Sequence, residues 1–152
     1  MIAISDEKAL FLLQFTDHKG LESDIERIKK KTGSEIISGG TAAIDSIQQE
    51  LELYFAGKTK AFKTALRLLC TPFQTSVWKE LQRIPHGETR SYGELAKAIG
   101  NPTGYRAVAQ ANGANNFVII VPCHRVINAD GKLGGYSSGL QRKEWLLAHE
   151  KK

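Results

Sequence analysis

The sequence is poor in sulfur: its 152 residues include two cysteines, Cys70 and Cys123, and one methionine. Two cysteines make no disulfide framework, which excludes the small secreted scaffolds held together by cross-links. Both are expected as free thiols in a reducing cytosol. The four histidines, His18, His86, His124 and His149, are scattered, and no Cys and His pair shows metal-ligand spacing. No metal site and no cofactor are expected. Long apolar runs are also missing, and no charged-then-apolar leader opens the chain, so a cytoplasmic protein without a membrane partner is expected. There is no internal repeat or low-complexity segment. Acidic residues are the minority: sixteen Asp and Glu against twenty-one Lys and Arg leave a net charge of +5. That balance suits a polyanionic partner without identifying one. The length suits one domain or two small ones with a real core.

The pattern changes character near residue 71. Before it the chain reads as mixed α and β. Residues 9–15 are an apolar run expected as a buried strand, and 35–38 are expected as another. Leu21, Ile25 and Ile28 keep helical spacing up to Lys29, Lys30, Lys31 and Gly33, a helix end whose lysines read as a solvated terminus. Ile44, Ile47, Leu51 and Phe55 mark an amphipathic helix begun by Thr41 and stopped at Gly57. Residues 65–69 read as a short strand or extended link. After residue 71 the chain is mostly helical. Thr71-Pro72-Phe73-Gln74 and Ser91-Tyr92-Gly93-Glu94 are capping boxes. Phe73, Val77, Trp78, Leu81 and Ile84 follow the first, and Leu95, Ala98 and Ile99 follow the second. Gly100 ends that helix, Asn101-Pro102 turns, and a further helix is expected over 103–112. Residues 117–121 form a buried apolar run broken by Pro122, 128–139 a polar loop, and 140–150 a closing helix.

Two helices joined by Gly100-Asn101-Pro102 have the layout of a helix-turn-helix, which a plain helical hairpin shares. On the second helix Arg106, Ala109, Gln110 and Gly113 share a face. Tyr105, Val108 and Asn112 share another, of which Tyr105 and Val108 are expected to dock inward. The exposed face is small apart from one arginine. It suits close, shape-based contact in the minor groove better than major-groove readout, and a lone Arg106 could enter the base stack.

Val121-Pro122-Cys123-His124-Arg125-Val126 is the most informative stretch. A free thiol has a pKa of about 8.5 and needs help to react at neutral pH. His124 and Arg125 supply a suitable environment. Adjacent side chains rarely point the same way, so a water between thiol and imidazole fits better than a direct pair, with a carboxylate to orient the base. Spacing does not choose that carboxylate. Cys70, after Leu68-Leu69, reads as a small buried hydrophobe; for Cys123 that reading and the nucleophile stand level.

Pro122-Cys123-His124-Arg125-Val126 resembles the active-site signature of the O6-methylguanine-DNA methyltransferases of the Ogt and Ada C-terminal type. Further similar stretches occur in the same order: Phe73 to Trp78, Ile84-Pro85 with Gly87-Glu88, Ser91-Tyr92 with Leu95-Ala96, and Asn101-Pro102. Arg106-Ala107-Val108, Gly134-Gly135-Tyr136 and Leu146-Leu147 with His149-Glu150 complete the set. The resemblance implies an α+β protein with a ribonuclease-H-like domain over 1–70 and a helical domain with a helix-turn-helix over 71–152. It implies irreversible, single-turnover transfer of an alkyl group from O6-alkylguanine in DNA, with O4-alkylthymine as a second substrate, to Cys123. His124 would act as base through water and Glu150 would orient it. Asn115 would brace the helix-turn-helix against the active site. Tyr92 would press on the target phosphate and give a proton to the leaving guanine. Arg106 would fill the gap left by the flipped base, with Ala109, Gln110 and Gly113 also on DNA. Tyr136, Ser137, Val126 and Ser138 would line the guanine pocket. A small Ser138, where some relatives carry Trp, implies room for benzyl-sized groups. The partner would be double-stranded DNA, bound by a monomer through the minor groove with little sequence preference. Asn116 departs from the proline common after the bracing asparagine, the edge strand that the family usually carries before the segment resembling Ile2 to Ile4 is expected to be absent, and the zinc ligands of some relatives have no counterpart. An alkyl-lesion sensor would lack Cys123, an Ada-type activator would add a Cys-rich segment, and a cysteine hydrolase would need an oxyanion site.

Overall fold

In the computed structural model, which describes residues 1–152, the chain divides into two units, Met1–Leu69 and Cys70–Lys152. The first is organised by the apolar strand. β1 (Ile2–Ser5) pairs antiparallel with β2 (Leu10–Gln14), Ile2 opposite Gln14. Every residue of β2 is buried. Its other edge is met at Leu10 by a single parallel bridge to Leu66, with Arg67 N donating to Leu10 O at 2.8 Å. Residues 65–69 are thus an extended link. α1 (Leu21–Thr32) brings Ile28 against Ile4, Phe11 and Leu12. α2 (Ala42–Phe55) starts at Thr41, whose Oγ1 accepts from Ile44 N. It ends where Gly57, at φ 69°, lets Lys58 N reach Leu53 O at 2.8 Å.

The strand expected at 35–38 does not form. Ile36 and Ile37 are adjacent rather than alternating, Ile37 is 83% exposed, and Gly39 and Gly40 follow at once. Only Ile36 of the four packs against the core, too little to hold them in a ladder.

In the second unit both capping boxes form, at Thr71 with Gln74 and at Ser91 with Glu94. They start α3 (Pro72–Leu81) and α4 (Tyr92–Ala98). α5 (Tyr105–Gly113) begins later than expected, because Asn101 to Gly104 close their own turn, Gly104 N donating to Asn101 O at 2.9 Å. Trp78 of α3 donates Nε1–H to Ala111 O at 2.8 Å and packs edge-on against Phe117, locking α5 onto α3. β3 (Arg90–Ser91) and β4 (Val126–Ile127) pair in parallel, and α6 (Leu140–Glu150) closes the unit. The apolar run 117–121 is buried, but it is a turn: Val121 N donates to Phe117 O at 2.9 Å and Ile119 sits at φ 74°. No helix is long and apolar enough to cross a membrane.

Candidate active site

Pro122 ends the buried turn, and Cys123–Arg125 make one turn of 3-10 helix leading into β4. The Cys123 side chain, 1% exposed, lies on a cavity of about 610 Å³ whose walls include Tyr92, Arg106, Asn112, Tyr136 and Ser137.

Asn115 organises the turn and touches the thiol. Its Oδ1 accepts from Phe117 N at 2.9 Å, and its Nδ2 donates to Val121 O at 2.8 Å and to Cys123 Sγ at 3.1 Å. The same amide therefore satisfies backbone groups that a buried turn would strand and aims an N–H at sulfur. Burial pushes the Cys123 thiol up, while Asn115, the charge of Lys143 and the Tyr136 hydroxyl pull the other way.

Behind the thiol lies a buried charge network. His124 Nε2 is 2.9 Å from Glu150 Oε1. Arg125 clamps the same carboxylate, Nε to Oε2 at 2.8 Å and Nη2 to Oε1 at 2.9 Å, and its Nη1 donates to Ile84 O. Gly87 N adds a fourth donor at 3.2 Å. Only glycine fits there: its φ is +81° and a Cβ would stand 2.9 Å from Glu150 O. Burial works against the charge on Glu150, yet the bonds from His124 and Arg125 overcome it and hold the carboxyl well below its usual range. With an ionised acceptor on Nε2, that nitrogen carries the imidazole proton. Nδ1 is left as a bare acceptor, buried and without a protein partner. Burial lowers the His124 pKa, so the ring is neutral at pH 7.

Lys143 was not anticipated. It is fully buried, and its ammonium donates to Val126 O, Leu133 O and Gly135 O. Three protons meet three carbonyls, tying the 128–139 loop to β4. Burial brings its pKa down to about 8. The sequence signal was there: Lys143, Leu146, Leu147 and Glu150 share the buried face of α6.

Of the expected residues, Cys123, Tyr92, Arg106, Ala109, Gly113, Tyr136 and Ser137 meet on the one cavity. Gln110 is exposed on α5 away from it, and Asn115, His124 and Glu150 lie behind the sulfur. Three residues lie elsewhere than expected. Val126 is fully buried and Ser138 is 6% exposed, and neither lines the cavity. Ser137 is exposed and Ser138 buried, so the two neighbouring serines do not face the same way. Tyr105 does not dock inward; it is 48% exposed and stands beside Arg106, whose guanidinium lies 5.8 Å from its ring centre.

A mixed helical fold with a small sheet and a cavity walled in part by a buried thiol is the class these features define. Residues 72–152 match the family model described as "6-O-methylguanine DNA methyltransferase, DNA binding domain", and the chain belongs to that family. It is 59% identical over 104 residues to a methylated-DNA--protein-cysteine methyltransferase of Methanosarcina mazei, a match covering 68% of this chain and 66% of that protein. It is 54% identical over 109 residues to the Mycobacterium tuberculosis H37Rv protein of the same name, covering 72% and 66%. The chain thus spans just under two thirds of the length of these relatives. Among solved structures, Mycobacterium tuberculosis OGT in complex with DNA is similar at a TM-score of 0.83 and 41% identity, covering 98% of this chain and 84% of that one. The O6-methylguanine-DNA methyltransferase of Pyrococcus kodakaraensis is similar at 0.72 and 28% identity, covering 99% and 90%.

Proposed function

We propose that this protein repairs DNA by direct reversal, taking the alkyl group of O6-alkylguanine onto Cys123 once per molecule. The observation that carries the reading is the Cys123 sulfur on an open cavity, with an Asn115 N–H aimed at it at 3.1 Å. The lesion carbon is unreachable inside a duplex, so the base must be flipped into that cavity. His124 Nδ1 takes the thiol proton through a water. The thiolate pair then forms the S–C bond as the C–O6 bond breaks, and its electrons pass to the guanine ring. Burial, then the nearby Cys123 charge, raise the Tyr92 pKa, so Tyr92 holds a proton it can give to the leaving base. The product is a thioether that no residue of the site is placed to cleave.

In this reading the first unit is a ribonuclease-H-like domain, and α4 and α5 are a helix-turn-helix that a monomer lays along the minor groove. Ala109 and Gly113 permit close approach, and Arg106 replaces the flipped base. The test is to incubate the protein with duplex DNA carrying O6-methylguanine and map its mass. A gain of one methylene on the peptide holding Cys123 is expected; no gain, or a gain on Cys70 alone, overturns the reading.

Arg106 supplies a second measurement. Because flipping is needed only in a duplex, Arg106→Ala is expected to slow repair of duplex DNA about tenfold or more, as for loss of a charged contact. It should leave reaction with free O6-alkylguanine base within about twofold, since the free base needs no such contact. Equal losses on both substrates, in parallel single-turnover assays, would remove the arginine from the flipping step.

A further inference from the structure

We propose that Tyr105 is a stacking residue for the opened duplex, its ring lying on a base face that the departing guanine uncovers; the inference rests on the alkyl-transfer reading above. Three large apolar side chains stay exposed on the second unit, Tyr105, Leu140 and Trp145. Trp145 already has a partner, the His149 ring stacked on it at 4.9 Å between centres. Tyr105 is the one of the three that lines the cavity. It is the first residue of α5, with Ala109 one turn further along the same stripe. Ala109, Arg106 and Gly113 line the cavity with it. The two long side chains of this face therefore stand together at its N-terminal end, and Ala109 and Gly113 beyond them are small. The Arg106 guanidinium lies 5.8 Å from the centre of the Tyr105 ring, within cation–π range. A duplex lying close over Ala109 and Gly113 meets both side chains at once. An arginine that enters the base stack brings the ring beside it to the same level.

The packing of α5 does not call for an aromatic at this position. Val108, Ala111 and Asn112 are the buried residues of the helix, and the Tyr105 ring is half exposed. The chemistry of the opened duplex does call for one. Flipping leaves one base without its partner and bares a face of each neighbour in the lesion strand. These faces are flat and apolar, and an apolar side chain wedged from the minor groove can cover them and hold the step open. Every base has a π-face, so an aromatic ring stacks on whichever base is there. The contribution of Tyr105 is therefore independent of sequence. The ring covers a base face while the guanidinium fills the gap, and the pairing of the two in the free protein sets them side by side beforehand.

The test is single-turnover methyl transfer from a duplex carrying O6-methylguanine. Tyr105→Ala should be about tenfold slower than wild type, the scale of one base stacked on an aromatic ring, and Tyr105→Phe, which keeps the ring, within about twofold. Both should react with free O6-methylguanine base within about twofold of wild type, since no stack has to be opened. The melting temperature of Tyr105→Ala should stay close to that of wild type, because the residue is half exposed. Combining Tyr105→Ala with Arg106→Ala should slow duplex repair beyond Arg106→Ala alone. Two fluorescent duplexes identify the base, one with 2-aminopurine opposite the lesion and one with it beside the lesion in the same strand. Bound to Cys123→Ala, which forms no product, the 2-aminopurine under the ring should be dim, and adding Tyr105→Ala should brighten it. Wild-type rates in Tyr105→Ala, or a loss as large on the free base, overturn the inference. So do a Tyr105→Phe as slow as Tyr105→Ala, no added loss in the double variant, and brightening at neither position. If wild type methylates Cys123 from neither duplex nor free base, the alkyl-transfer reading fails first and this inference with it.

Discussion

Cys123→Ala is expected to remove alkyl transfer completely, while duplex binding stays within about twofold, because the change deletes one sulfur and no charge. The contrast with Cys70 makes the result informative. Cys70 is the more accessible thiol, half-buried with its Sγ 3.2 Å from Thr75 Oγ1. A reagent that selects by exposure would label Cys70 first. On the proposed function DNA selects by placement: a flipped base would enter the cavity on which Cys123 lies, where Asn115 and the Lys143 charge favour the thiolate against the cost of burial. Cys70→Ala should therefore leave transfer from DNA intact. Labelled-methyl transfer to each variant decides the matter, and substantial transfer to Cys123→Ala would place the acceptor elsewhere.

Glu150→Gln should carry the largest cost in stability together with a large cost in rate. Glutamine keeps the shape and loses the charge, so the 6%-exposed Arg125 is left without its counter-ion. Breaking one partner of a buried pair costs about 3–5 kcal/mol. His124 loses the anion that holds its proton on Nε2, and transfer should slow by about 10²-fold or more, as for loss of a positioned base. His124→Ala combined with Glu150→Gln should cost little beyond either alone, because the two act as one unit. The pH dependence follows from sign. The folded pKa of Glu150 lies below its ordinary 4.5, so its contribution is complete above pH 4.5 and erodes as pH falls through the lower folded value. Wild type should lose melting temperature on acidification over that window more steeply than Glu150→Gln. Thermal melts from pH 7 to pH 3 check it, and parallel curves would mean that the carboxylate is not the group titrating.

What was legible in the sequence is what is local. Both capping boxes are four-residue devices, so α3 and α4 could be placed from their first residues. Gly33 and Gly57 end α1 and α2 through bonds to the preceding turn. The Cys123 motif was legible because its neighbours are its environment. What escaped is set by distant packing. Phe117 to Val121 reads from the sequence only as a buried apolar run; its turn comes from Asn115 and Phe117, which hold each other's polar groups. Lys143 looks like one more surface lysine until the carbonyls of a loop eight to ten residues earlier are seen around it. Ser137 and Ser138 are chemically identical, and only the path of the loop decides which meets the cavity. Tyr105 was assigned inward on hydrophobicity, yet the first residue of a helix is placed by the turn before it.

Ile119 lies in the turn that leads to Cys123, at φ 74° with a side chain only 1% exposed. A β-branched residue held in that region costs about 1–3 kcal/mol, and burying an isoleucine side chain returns about 1.5–3 kcal/mol. Glycine would remove the steric cost, but it would also give up the burial, leave a void and loosen the unfolded chain. The isoleucine is therefore kept by its packing and not by its backbone. The main chain ahead of Cys123 stays firm only while that packing is intact.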